Sequence, residues 1–462
     1  MTKPFPQTPY FTHSDLHLFE LPQIFTAGSI WLESNMEHQV ATFDLFVRSL
    51  PKNRNFLLMG GTEEIVRGIL NWRYTGDEVR YLQKNNIITP RFARYLRGFH
   101  FTGDVYALPE GTVFFPDEPV VRITAPIIEG NLMTMFLINA FTSNTIFLSK
   151  VIRGVIAAKD KKFLASASLR AQSNESAFKF GRATYIAGGH GANMIPAFCR
   201  KYDLPFSDPS RKTYHALIKS FSTETAAMSR AAEIFPNTMD FMVDTYNFDR
   251  GLQHAIQVAS ELKRKKNSIK GITIDSGDLY KRSVQARKLL DKAGLKEVTI
   301  TVASNLDEWK IDNLLSRSAP IDKFMALTEM IASKDAPSLE AVYKLAELQI
   351  GQTVVPKAKL ASDKSNYPGK KQVFRVYQDG VMQKDIIGLE HEQLGRPLLR
   401  KMVEHGKLIC RLLTLNEIRH YVLTQREELP SRLLSIKRNY AFPVGVSRQV
   451  NILMNKVRRA HM

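Results

Sequence analysis

Residues 271–294, GITIDSGDLYKRSVQARKLLDKAG, hold the pattern best suited to chemistry. Asp275-Ser276-Gly277-Asp278 sets two carboxylates on a tight turn between an apolar strand and a helical run. The free N–H groups of a helix start attract an anion. The carboxylates can accept hydrogen bonds from sugar hydroxyls or hold Mg²⁺. The plainer role for Ser276 or Asp278 is to cap the helix. Spacing favours capping for Asp278 and leaves Asp275 open between the two roles. Ser276 and Gly277 share the turn and join Asp275 as ligand-contacting candidates. A second segment, RKTYHALIKSFSTETAA, places His215 before a helical run. A lone histidine near apolar residues is more often structural. Its value rises with Asp244, expected at the end of a neighbouring strand. A carboxylate beside an imidazole fixes its tautomer and raises its basicity. Such a histidine can attack a phosphoryl group. A third segment, GRATYIAGGHGANM, carries Gly188, Gly189 and Gly191. Close glycines admit a ligand to the backbone, although turns use them for positive φ as well.

These groups need a frame, and the pattern supplies one. Residues 241–243 form an apolar strand ending at Asp244, followed by a helix over 249–265. Residues 272–274 form a strand ending at Asp275, followed by a helix over 280–293 that Gly294 closes. Residues 298–302 form a strand ending near Ser304 and Asn305, followed by a helix over 306–315. A further helix spans 222–235. Strand, polar loop and helix in repetition indicate parallel βα units. In barrels of such units the chemistry sits at the C-terminal strand ends, where Asp244, Asp275 and Asn305 all fall. The expected architecture is α/β. An irregular (β/α) barrel domain covers 128–350. A discontinuous α/β domain is built from 1–127 and completed by 351–462.

The chain has 462 residues, 44% of them hydrophobic, which is ample for two cores. Two cysteines, Cys199 and Cys410, give neither metal spacing nor a disulfide framework and suit a reducing cytosol. The N-terminus shows no apolar signal core, so the expected location is cytoplasmic. The apolar stretch 131–148 is interrupted by Asn131, Asn139, Ser143 and Asn144, and reads as a buried helix rather than a membrane span. The net charge is +19. Such a balance suits nucleic acid, an acidic membrane or phosphorylated small molecules, although charge runs are more often solvated faces, and no zinc-finger or RNA-recognition spacing accompanies it to favour nucleic acid.

Several long motifs carry a resemblance. DTYNFDRGLQHAI, IDSGDL, QARKLLDKAG, ASNLDEWKI, DAPSLEAVYKL and YPGKKQVFR occur in the order found in nicotinate phosphoribosyltransferases. FHFTGDVYALPEGTVFFPDEP upstream and ELPSRLLSIKRNYAFPVGVS near the end look like the same family. The similarity covers about residues 15 to 450. The resemblance implies a type II phosphoribosyltransferase fold and a reaction. Nicotinate attacks C1 of phosphoribosyl pyrophosphate, giving nicotinate mononucleotide and pyrophosphate in NAD biosynthesis. Mg²⁺ assists, and ATP hydrolysis through a phosphohistidine drives the step. His215 matches the phosphorylated histidine, Asp244 its acidic neighbour and Asp275 the acid near the ribose hydroxyls. Arg170 falls where the family has a phosphate-binding arginine pair. The resemblance also implies a homodimer with small-molecule substrates and no membrane.

Departures from the family cluster at ligand positions. Ser166 stands where a stacking aromatic is usual, and Leu169 where one arginine of the pair is usual. Thr273 replaces an arginine, and Phe19 a substrate tyrosine. The phosphate loop reads FMALTEMIAS, without glycine from Phe324 to Ser333. A side chain on such a loop blocks close approach by phosphate. These changes predict weak affinity for phosphoribosyl pyrophosphate unless Lys150, Arg153 or Arg182 supplies replacement charge. Two alternatives stay open: a catalytically impaired or regulatory homologue on the same scaffold, and a phosphoribosyltransferase for a different base.

Overall fold

The computed structural model describes residues 17–165, 168–191, 195–206, 211–361 and 364–461. The chain divides into two compact units. One comprises Met1–Ile146, Ser338–Ser435 and Asn439–Met462, and the other Phe147–Pro337 with Ile436–Arg438. The expected borders at 127 and 350 therefore move. Ala341–Ile350 is a strand, paired antiparallel along its length with Val40–Val47, so pairing draws it into the first unit. The other border falls inside the helix Thr134–Ala158.

The first unit is built on a seven-stranded antiparallel sheet. Its strands run in the order Thr353–Pro356, Ala341–Ile350, Val40–Val47, Val121–Pro126, Asp104–Ala107, Arg400–Glu404 and Lys407–Leu408. Val40–Val47 is central and almost wholly buried, which excludes all but short-range polar pairing for its side chains. Phe25, Trp72, Phe92, Phe114 and Phe141 fill the core beside it. A four-stranded sheet carries Arg375 opposite Asp385 on paired strands. Arg375 Nε and Nη2 donate to the two carboxylate oxygens at 2.9 and 2.6 Å, a fork that keeps both charges satisfied in the interior.

Among the described residues the second unit holds six parallel strands. Their order is Lys162–Leu164, Lys323–Met325, Thr299–Val302, Gly271–Ile274, Met239–Met242 and Arg211–Lys212. Five of these strands are short runs of three or four residues, and those at Met239–Met242, Gly271–Ile274 and Thr299–Val302 are each followed by a helix, as the sequence pattern predicts. Among the described residues the sheet stays open, and a single bridge from Leu164 to His190 extends its first edge.

Helix boundaries follow capping chemistry. Asn247 caps Phe248–Arg264, Asp278 caps Leu279–Lys292, and Asp307 caps Glu308–Ser316, each accepting a backbone N–H three residues on. The helix expected over 306–315 starts later because Asp307 takes the cap. Phe248–Arg264 buries Phe248, Gly251, Leu252, Ala255, Val258, Ala259 and Leu262, the stripe of a helix lying on a sheet. Gly251 lets this helix start against the strand end that leads to Asp244. A Cβ at 251 would lie 2.2 Å from the Val243 carbonyl oxygen. Gly251→Ala should therefore destabilise the protein by about 1–3 kcal/mol through forced backbone displacement. Urea denaturation checks this, and an unchanged midpoint would refute the close packing.

One helical stretch, Ile127–Ala158, is long and apolar enough to cross a membrane by composition. Two-thirds of its most apolar window is buried inside the protein, 67%. Lys150 and Arg153 on it form ion pairs with the fully buried Glu308. That is the setting of a core helix.

Candidate active site

The expected reactive groups lie just beyond the C-terminal ends of the parallel strands. Met239–Met242 leads to Asp244, Gly271–Ile274 to Asp275, and Arg211–Lys212, through Thr213 and Tyr214, to His215. The Asp244 side chain is 2% exposed. Its Oδ2 accepts the Asp275 N–H at 2.8 Å and the Ser276 hydroxyl at 2.6 Å. Its Oδ1 is buried with no hydrogen-bond partner. Arg282 Nη1 lies 4.0 Å from Asp244 Oδ2 and donates to the Ser276 carbonyl and hydroxyl at 2.6 and 2.9 Å. Gly277, at φ +74°, makes this fold-back possible, since a Cβ there would come 2.4 Å from the Arg282 guanidinium carbon. Asp278 caps the next helix through the Lys281 N–H at 3.0 Å, the role that its spacing favours.

His215 opens the short helix His215–Lys219, and its Nδ1 lies 3.1 Å from Thr245 Oγ1. The direct His215–Asp244 pair expected from sequence does not form. Asp244 Oδ2 is taken by the turn of the neighbouring strand, and the next residue, Thr245, holds the imidazole instead. Sequence reasoning missed Thr245, Arg282 and Lys212. Thr245 and Arg282 stood inside motifs already singled out, and Lys212 stood three residues before His215, so proximity in sequence was the available signal. Lys212 Nζ donates to Thr273 Oγ1 at 2.7 Å.

The other candidates scatter. Arg170 is exposed on the turn Ser168–Arg170, and Leu169 beside it is 81% exposed. Asn305 is exposed at the end of its strand, next to Ser304 at φ +98°, a conformation non-glycine residues rarely adopt. Gly188 and Gly189 close the helix Asn174–Ile186. Gly188, at φ +90°, donates to Tyr185 O, and Gly189 donates to Thr184 O. These are the paired hydrogen bonds of a helix stop. Arg182 is buried on the same helix. Lys150 and Arg153 cannot supply replacement charge. Glu308 takes Arg153 Nε at 2.8 Å and Lys150 Nζ at 2.6 Å, and Asp335 takes Lys150 Nζ at 2.7 Å. Residues after Lys323–Met325 wind into one helical turn, Thr328–Ile331, with Met330 and Ile331 donating to Leu327 O. Ser166 lies outside the described residues, and Phe19 belongs to the first unit.

A family model described as the nicotinate phosphoribosyltransferase N-terminal domain matches residues 24–142. The nicotinate phosphoribosyltransferase pncB2 of Mycobacterium tuberculosis is 35% identical over 444 residues, covering 96% of this chain and 93% of its own. This chain belongs to the nicotinate phosphoribosyltransferase family. The Bacillus subtilis nicotinate phosphoribosyltransferase is 32% identical over 390 residues, with 83% of this chain and 77% of its own covered. The fold agrees with the crystal structure of human nicotinic acid phosphoribosyltransferase at a TM-score of 0.82 and 21% identity, covering 95% of this chain and 99% of that one. It agrees with nicotinate-nucleotide pyrophosphorylase from Pyrococcus furiosus at 0.73, also at 21% identity, covering 92% and 98%. The fold is the α/β, type II phosphoribosyltransferase-like one.

In this nicotinate phosphoribosyltransferase family member the charges at the strand ends act on one another. Burial raises the Asp275 carboxyl above the ordinary aspartate range, and the Asp244 charge pushes the same way. His215, Lys212 and Arg170 act in the opposite direction. Two neighbouring carboxylates, one with an unpartnered buried oxygen, suit a hard divalent cation that keeps water or phosphate oxygens in its other positions. Among the described residues no group of three or more metal-ligating side chains converges, so a divalent cation held by Asp244 and Asp275 would need its other oxygens from substrate or water. A carboxyl raised on folding holds its proton more tightly in the native state. Its contribution to stability therefore falls as pH rises from the unfolded toward the folded value. Asp244→Asn removes the like charge and should lower the Asp275 titration midpoint in metal-free protein. Carboxyl-carbon NMR reads this directly. A midpoint that stays put or rises would show that Asp244 does not act on Asp275.

Proposed function

We propose that this chain joins nicotinate to phosphoribosyl pyrophosphate, forming nicotinate mononucleotide and pyrophosphate in NAD biosynthesis, with ATP hydrolysis coupled through His215. The observation that carries this reading is the placement of His215, Asp244 and Asp275 just beyond the C-terminal ends of three neighbouring parallel strands, in a chain related over nearly its full length to such enzymes. The nicotinate nitrogen forms a bond to C1 as the C1–oxygen bond to pyrophosphate breaks. C1 is cation-like at that moment, so alignment and stabilisation of the leaving anion carry the rate. Asp275 stands ready to accept hydrogen bonds from ribose hydroxyls. Asp244 and Asp275 would hold Mg²⁺, which would supply charge neutralisation for the pyrophosphate. Thr245 holds Nδ1 of His215, which leaves Nε2 as the nitrogen to take the terminal phosphoryl of ATP. The same reading makes the protein a cytoplasmic homodimer.

A second reading, an impaired homologue on this scaffold, draws on two features. Leu169 points to solvent where an arginine is usual, and the Thr273 hydroxyl is absorbed by Asp240. One experiment separates the two. Protein incubated with labelled nicotinate, phosphoribosyl pyrophosphate, Mg²⁺ and ATP should yield the labelled mononucleotide. His215→Asn should reduce the rate to its ATP-independent level and abolish phosphoryl transfer from ATP to the protein. No product from wild-type protein would leave the impaired homologue standing.

A further inference from the structure

We propose that Lys212 is the cation that binds the anionic group of a substrate, a carboxylate or a phosphate, at the floor of the strand-end mouth. This rests on the reading above for the identity of the substrates. Its geometry follows from strand register. Lys212 is level with Asp240, which is level with Gly271 on the next strand. Thr273 sits two residues further toward the C-terminal ends, and Asp275 two beyond that. Lys212 Nζ nevertheless reaches Thr273 Oγ1 at 2.7 Å. The side chain thus crosses one strand and climbs through the interior toward the mouth.

Its anchor is fixed. Asp240 is fully buried and accepts hydrogen bonds from the hydroxyls of Thr273 and Thr301. It lies 3.7 Å from Lys212 Nζ, close enough to attract the charge and too far to take a short hydrogen bond. An ammonium has three donors. Thr273 takes one, and the side chain keeps 17% of its surface open. The remaining donors are available to an anion in the mouth, with the ammonium already held in place. Three other cations of this unit are engaged within the protein. Arg282 is folded onto Ser276, and Lys150 and Arg153 are buried on Glu308.

The test uses calorimetric titration of the full chain with pyrophosphate and, separately, with nicotinate. Lys212→Met should weaken one of the two by at least about tenfold, the scale of a lost charge-assisted hydrogen bond. Lys212→Arg should keep most of the affinity. Removing Lys212 alone strands the buried Asp240 charge, so Lys212→Met with Asp240→Asn provides a charge-balanced variant, and it should show the same loss. Loss for pyrophosphate names a phosphate as the ligand, and loss for nicotinate names the carboxylate. Unchanged binding of both anions in the double variant, with a native melting transition, would overturn the proposal. A wild-type protein that binds these anions through Lys212 but forms no mononucleotide would refute the proposed reaction and leave this site intact.

Discussion

A carboxylate that ends a parallel strand and is almost dry must find its donors on the neighbouring strand, or go without. Asp244 does both. One oxygen takes the backbone N–H of Asp275 and the hydroxyl of Ser276, which locks two adjacent strand ends to each other. The other is left buried and unpaired. An unsatisfied buried oxygen of this kind is costly, on the order of 1–3 kcal/mol, and native structures retain few of them. Its position beside Asp275 gives the cost a purpose, because a cation or substrate donor placed there satisfies it. Gly277 and Arg282 serve the same constraint by folding the turn so that the Ser276 hydroxyl faces Asp244.

Charge in this protein separates into framework and site. Lys150 and Arg153 against Glu308, Arg375 against Asp385, and Lys371 against Asp44 are buried pairs that hold elements in register. Removing one partner of such a pair strands the other in a medium that solvates it poorly. These cations are therefore unavailable to a ligand, whatever their type promises in the sequence. Lys212 differs because its acidic partner is offset and a hydroxyl intervenes, so the ammonium is held without being saturated.

The alternation of strand and helix between 241 and 315 was legible because each strand is a short apolar run ending in a polar loop, and each helix starts at an Asn or Asp cap. Capping by Asp278 was legible for the same local reason. Segment 341–350 was not. Its alternating pattern fits any half-buried strand, and only pairing with Val40–Val47, some three hundred residues earlier, decides which sheet receives it. The glycines at 188 and 189 were ambiguous in the sequence, since a helix stop and a ligand loop ask for the same residue, and the structure shows the helix stop.

By itself the sequence determined the family, the parallel βα pattern and the placement of Asp244, Asp275 and His215 at strand ends, since these rest on local spacing and on motifs in fixed order. The tertiary structure decided which of those groups touch. It gave His215 to Thr245 rather than to Asp244, buried Lys150 and Arg153 on Glu308, and brought Lys212 up to Thr273. Spacing along a chain fixes the face on which a side chain emerges. Partners on other strands depend on register and on how far a flexible side chain reaches, and neither is written in any one segment.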